Sequence, residues 1–336
     1  MKKQFWITAT GVLTCLVALN AFLLFFPKNN GETYRVRVEK GQGFSSVSRQ
    51  LAKDNIIFNR WVLMSAAYLT GTHHQLMVGH FRLPKKVSAW EILSILNQDP
   101  DKVRVKIIEG ITFAKMRKII NQTNDIEHDT LKLSDQDLLK KIDPNFSYDH
   151  PEGWFFPDSY EVHKGSSDLQ IFQAAYAAMQ DNLKDAWDDR QNNLPYATPY
   201  ELLIVASLIE KETAHEEDRR DVSAVFRNRL DIDMRLQTDP SVIYGMGDNY
   251  RGKIRKADLQ RDTPYNTYTR KGLTPTPIAL PSRAALEAAA NPSDSKYLYF
   301  VSRMDGTGKS QFSNTLDEHN AAVCKYILKQ ENCEKS

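Results

Sequence analysis

The chain has 336 residues, 41% hydrophobic and 26% charged, enough to enclose a sizeable core in one large or two modest domains. Forty-four basic against forty-two acidic residues leave a net charge of +2, which excludes the broad basic field that nucleic-acid binding requires. No cofactor is implied, and no metal: His215-Glu216-Glu217 lacks a second histidine one helical turn on, and His73-His74 are adjacent and cannot share a helix face.

The first residues bear on the compartment. Phe5–Phe26 is an uncharged run of 22 residues, and about 20 suffice to cross a bilayer as a helix. A cleaved signal peptide ending near Ala21 is the competing reading, but the apolar run continues through Phe22-Leu23-Leu24-Phe25-Phe26, which favours an uncleaved anchor. Lys2 and Lys3 precede the span, so the positive-inside rule keeps residues 1–4 in the cytoplasm and puts everything after Pro27 on the far side of the inner membrane. Residues 27–32 read as a short polar linker.

Folding is expected from Thr33. Tyr34–Glu39 alternates with period two as a half-buried strand, and helical patterns follow through Val47 and Leu51 and from Asn59 to Leu69. Gly79–Leu83 returns as a strand, so residues 33–101 form a small α+β module of strand–helix–helix–strand order with a connecting helix at Ser88–Asn97, where Ser88 and Glu91 make a capping box. A strand at Val103–Ile108 opens the second domain, with the boundary near Lys102. Thr112–Asp149 is polar and helical in pattern, the block from Pro151 to Tyr160 is aromatic, and Asp168–Trp187 reads as a long helix. Gly308-Lys309-Ser310 lacks the earlier glycine of a phosphate loop and reads as a hairpin turn. Cys324 and Cys333 are compatible with a disulfide or with two free thiols.

The best-specified element begins at Thr198-Pro199-Tyr200-Glu201, where an N-cap, a first-turn proline and a reciprocal acceptor coincide. The helix then runs through Leu202–Ile209, nearly all apolar, and reaches Glu210. Glu210 shares a face with Ser207, Ala206 and Leu203, so a carboxyl group ends an apolar stripe with small neighbours beside it, the setting of a general acid. The plainer alternative is a helix that has simply reached the surface. Further along, Met234–Gly245 and Thr263–Pro275 are rich in amides, hydroxyls and aromatic rings, the lining of a carbohydrate groove, although Asp239 and Asn266 also fit ordinary turn and cap chemistry.

These residues resemble those of the endolytic murein transglycosylase family, the YceG-like or MltG proteins. The resemblance is carried by six blocks in order: Glu152–Tyr160, Ala206–Thr213, Leu236–Gly245, Tyr265–Tyr268, Tyr297–Val301 and Glu318–Asn320. It implies an α+β protein with one N-terminal anchor, a LysM-like module and a catalytic domain over residues 102–336, with Glu210 as the essential acid. The candidate substrate contacts are Trp154, Phe156, Asp158, Tyr160, Glu212, Gln237, Thr238, Asp239, Tyr244, Tyr265, Asn266 and Tyr268. The implied reaction cuts nascent peptidoglycan strands between N-acetylmuramic acid and N-acetylglucosamine without water, alongside the peptidoglycan synthases. Two departures from the family pattern fall at Thr274 and Thr276, where proline and glycine are usual, and at Ser310, where histidine is common. Two rival readings are a hydrolase of the same bond, separated by its products, and a non-catalytic wall-binding protein, separated by indifference to Glu210→Gln.

Overall fold

A computed structural model describes residues 18–39, 41–98, 102–330 and 333. The chain divides into two compact units, one comprising Met1–Arg104, Asn124–Glu127 and Glu161–Ser167, the other Val105–Thr123, His128–Tyr160 and Asp168–Ser336.

In the first unit, helical residues 18–25 (α1) lead through strand β1 (Lys28–Asn29) to β2 (Tyr34–Val38). Helices α2 (Phe44–Lys53) and α3 (Arg60–Leu69) follow, then β3 (Gly79–Leu83), β4 (Lys86–Val87) and α4 (Ala89–Leu96). Strands β2 and β3 pair antiparallel with Val36 opposite Phe81, and β1 pairs with β4. Val36 and Val38 point into the core while Arg35 and Arg37 stay outside, as the alternation requires. The expected strand–helix–helix–strand order is present. Asn59 caps α3 by accepting from the Trp61 N–H, and the Ser88–Glu91 capping box starts α4. Most of the Phe5–Phe26 run lies outside the described residues, and among those described no helix is long and apolar enough to cross a membrane.

Strands β5 (Lys102–Lys106) and β6 (Ser159–His163) form a further two-stranded sheet. The second unit is mainly helical. The polar stretch after Thr112 forms two short helices, α5 (Phe113–Asn121) and α6 (Asp135–Ile142), and the long helix spans Leu169–Asp188 (α7). Its centre is α8 (Pro199–Glu212), packed among α7, α9 (Arg219–Asp231), α10 (Asp239–Met246) and α12 (Arg283–Ala290), with α11 at Lys256–Gln260. All eight residues Leu202–Ile209 are buried, and the small side chains Ala206 and Ser207 on α8 and Ala285, Ala288 and Ala289 on α12 permit close helix approach. Strands β7 (Tyr299–Ser302) and β8 (Ser310–Ser313) form the expected hairpin around Gly308, followed by α13 (Leu316–Tyr326). Cys324 and Cys333 are joined as a disulfide, their Cα atoms 5.7 Å apart. The protein is therefore of mixed α+β class.

Candidate active site

Glu210 stands on the last turn of α8. The helix begins where the sequence marks it, with the Thr198 hydroxyl accepting from the Glu201 N–H and the Glu201 carboxylate accepting from the Thr198 N–H. After eight buried residues the half-buried Glu210 carboxyl meets Ser282. Its Oε2 accepts the Ser282 N–H at 3.0 Å and the Ser282 hydroxyl at 2.5 Å. Ser282 is also the N-cap of α12, its Oγ accepting from the Ala285 N–H at 3.2 Å. Two donors on one oxygen fix the plane of the carboxyl group.

Among the described residues no hydrogen bond reaches the other oxygen, Oε1. It lies beside Gly110, where an added Cβ would sit 3.9 Å from it. Gly110 has φ +72°, a left-handed conformation for which glycine is suited, and the atoms nearest its missing Cβ are those of Glu210 and Lys211, so no side chain of residue 110 stands against Oε1. Its N–H donates to the Leu280 carbonyl, the Leu280 N–H donates to that of Ile111, and Lys211 Nζ donates to the Gly110 carbonyl at 3.0 Å. Backbone pairing thus brings residues 110–111 and 280–282 together at the end of α8.

One turn earlier, Ser207 Oγ accepts the Ile278 N–H at 3.0 Å and donates to the Ile204 carbonyl, tying the 272–278 segment to α8. Pro277 of that segment packs on Gly153. The altered Thr276 is not idle, since its hydroxyl meets that of Tyr265 at 3.0 Å.

The fold adds a carboxyl group that sequence reasoning did not select. Glu152 is 2% exposed, accepts from the Phe113 N–H at 2.8 Å and from the Tyr244 hydroxyl at 3.1 Å, and is pushed up to about 7 by burial, against these donors. Its only signal in sequence was its place at the head of the aromatic block. Tyr244 in turn lies edge-on to Tyr265, ring centroids 4.9 Å apart. A second group gathers at Glu212, also raised to about 7 by burial although it accepts the Thr238 hydroxyl. Thr238 and Gln237 donate their backbone N–H groups to the Thr267 hydroxyl and carbonyl oxygens, and Tyr268 donates to Asp239 at 2.6 Å.

Other candidates have plainer roles. Trp154 is 4% exposed and stacks on Tyr200 at 5.5 Å, and Asn266 is 1% exposed with its amide spent on the carbonyls of Asp258, Leu259 and Arg261. Neither presents a surface to a ligand, because aromatic stacking and turn closure have enclosed them. Thr238 is likewise buried, and Tyr160 gives its hydroxyl to the Phe156 carbonyl at 2.6 Å. Phe156 is half-buried with its N–H on Ala175, whereas Asp158 is exposed. Gln237 and Asp239 are exposed, and Tyr244, Tyr265, Tyr268 and Glu212 are half-buried.

Comparison with known proteins is consistent across sequence and structure. The sequence matches the YceG-like family over residues 36–325. It is 28% identical to the endolytic murein transglycosylase of Bacillus subtilis strain 168 over 316 residues, 89% of this chain and 86% of that protein. It is 27% identical to the protein of the same name from Streptococcus pneumoniae D39 over 91% of this chain, which spans 60% of that longer relative. A crystal structure of a yceG-like protein from Listeria monocytogenes superposes with a TM-score of 0.53 at 30% identity, covering 86% of this chain and 98% of the other.

Proposed function

The chain belongs to the YceG-like family, and from that premise we propose that it is an endolytic peptidoglycan transglycosylase in which Glu210 is the single acid and base. The carrying observation is the asymmetry of the Glu210 carboxyl: Oε2 is held twice by Ser282, while Oε1 lies beside Gly110 and accepts no hydrogen bond among the described residues. A proton on this carboxyl therefore belongs on Oε1, where a glycosidic oxygen can take it.

In the proposed reaction the protonated Glu210 gives its proton to the oxygen leaving N-acetylmuramic acid C1, and the bond to the N-acetylglucosamine side breaks. Positive charge develops at C1. The resulting carboxylate then takes the proton of the same sugar's 6-hydroxyl, whose oxygen bonds to C1 and closes a 1,6-anhydro ring. The proton lost in the first step is regained in the second, so no water is consumed. An internal nucleophile has the entropic advantage of intramolecular attack, with effective molarities on the order of 10⁵ M or more for well-oriented cases.

A hydrolase would need a second carboxylate at the reacting carbon, as nucleophile or as base for water. Glu152 is enclosed and already bonded to Phe113 and Tyr244, and Glu212 lies two residues beyond Glu210, about 200° around the helix. Both positions favour the one-carboxylate reaction. The uncharged Phe5–Phe26 run preceded by Lys2 and Lys3 supports a single-pass inner-membrane anchor with the enzyme outside the cytoplasm. The β2–α2–α3–β3 order supports a LysM-like module for binding glycan.

The test is mass analysis of products from purified glycan strands in heavy-oxygen water. Unlabelled 1,6-anhydromuramic acid ends are expected, and loss of cleavage with retained glycan binding in Glu210→Gln. Labelled reducing ends as the main product would reject transglycosylation, and an active Gln variant would reject Glu210.

A further inference from the structure

We propose that the face of the first unit bearing Trp61 and Trp90 lies in the headgroup region of the membrane, held there beside the end of the anchor, so that this unit rests on the bilayer instead of swinging from a free linker. This rests on the reading of Phe5–Phe26 as a membrane span.

The observation behind it is how α1 is seated. Asn20, Leu23 and Leu24 form one side of α1, and that side is turned to the unit: Leu24 is 9% exposed and joins the core, Leu23 packs against the same core, and the Ser65 hydroxyl donates to Asn20 Oδ1 at 3.1 Å. The outward side carries Leu19, Phe22 and Phe25, with Phe26 just past the helix end, and these are 52%, 58%, 60% and 47% exposed. An apolar side facing outward on a helix otherwise docked to a folded unit asks for a covering medium.

Chain length identifies the medium. The thirteen uncharged residues Phe5–Val17 would span about 20 Å as a helix, short of the roughly 30 Å hydrocarbon core. A span must therefore also use residues from Ala18 onward, the same residues that pack on the unit. The side chains flanking α1 then come to the depth at which the anchor leaves the membrane.

Their composition suits that depth. Trp61 and Tyr68, each 59% exposed, share a face of α3 with Ser65, the partner of Asn20. Trp90 is 41% exposed and its ring lies 5.5 Å from that of Phe25, while Phe58 lies 6.3 Å from Phe26. Cations sit over the outer rings: Arg60 is 4.3 Å from the centre of the Trp61 ring and Lys28 is 5.2 Å from that of Phe58. Exposed Trp and Tyr rings with Lys and Arg at their edge are the composition of a membrane–water interface.

The test uses the full chain in nanodiscs of lipid brominated either near the headgroup end or near the tail end of the acyl chains, reading quenching of tryptophan emission. Trp154 and Trp187 stay in every variant as a constant background. Shallow bromine is expected to quench the wild type, and the double variant Trp61→Phe/Trp90→Phe to lose most of that shallow quenching. Trp6→Phe reports separately on the anchor. Quenching that depends on Trp6 while the double variant is indistinguishable from wild type would overturn the proposal and leave the anchor standing. No quenching dependent on Trp6 would overturn the anchor and the proposal with it. Self-association abolished by the double variant, with no shallow quenching, would assign the face to a second copy of the chain and also overturn it.

Discussion

Ser282 gives both its backbone N–H and its hydroxyl to the same oxygen of Glu210 while its own Oγ caps α12, so one residue starts a helix and aims a carboxyl group. The two duties can be separated. Glycine at an N-cap costs only a few tenths of a kcal/mol relative to serine, whereas losing a hydrogen bond to a charged group costs about 1.5 kcal/mol or more, roughly tenfold in rate. Ser282→Gly is expected to melt within a few degrees of wild type and to cut strands about tenfold more slowly. Wild-type turnover by a folded Ser282→Gly protein would show that the hydroxyl does not aim Glu210.

Gly110 is the neighbour on the Oε1 side. Alanine there would adopt φ +72° at a cost of about 1 kcal/mol and place a methyl group 3.9 Å from Oε1. The expected outcome for Gly110→Ala is a modest fall in thermal stability and a much larger fall in cleavage rate. A loss of stability with turnover unchanged would mean that substrate does not approach from this side.

Glu152 links folding to pH. Its folded-state value near 7 exceeds the ordinary 4.5, so between these values the folded protein keeps a proton that the unfolded chain has released. The sign follows: this contribution to stability is full below about pH 4.5, declines as pH rises and is gone above about pH 7, a change of about 3 kcal/mol. Glu212, also raised to about 7, tilts the curve the same way. Glu152→Gln cannot ionise and is expected to lessen the decline in melting temperature across that window without abolishing it. An unaltered slope in the variant would show that Glu152 titrates alike in both states.

Gly153 tests how the aromatic block is held to α8. With φ +86° and a would-be Cβ only 2.6 Å from Pro277 and 3.4 Å from Leu203, alanine there is both strained and obstructed. Gly153→Ala is expected to cost about 2 kcal/mol or more in denaturant unfolding. Gly272, with φ +79° and nothing within 4 Å, is the control: Gly272→Ala carries the strain alone, at about 1 kcal/mol. Equal losses in the two variants would mean that Pro277 yields freely.

What the sequence by itself determined is local. The Thr198–Glu201 capping box, the apolar run to Ile209 and the strand alternation at Tyr34–Val38 each lie within a few residues of the groups that satisfy them, and the positions of α8, β2 and Glu210 followed from them. Tertiary structure decided what meets Glu210. Ser282 is 72 residues away in the chain and Gly110 is one hundred before it, and no periodicity links such positions. It also decided which polar and aromatic groups were enclosed: Glu152 became a buried carboxyl, and Trp154 and Asn266 became interior, although as residue types they suited a groove equally well. Burial depends on the packing of segments far apart in the chain, and the desolvation that raises a carboxyl toward neutrality exists only once those segments have closed around it.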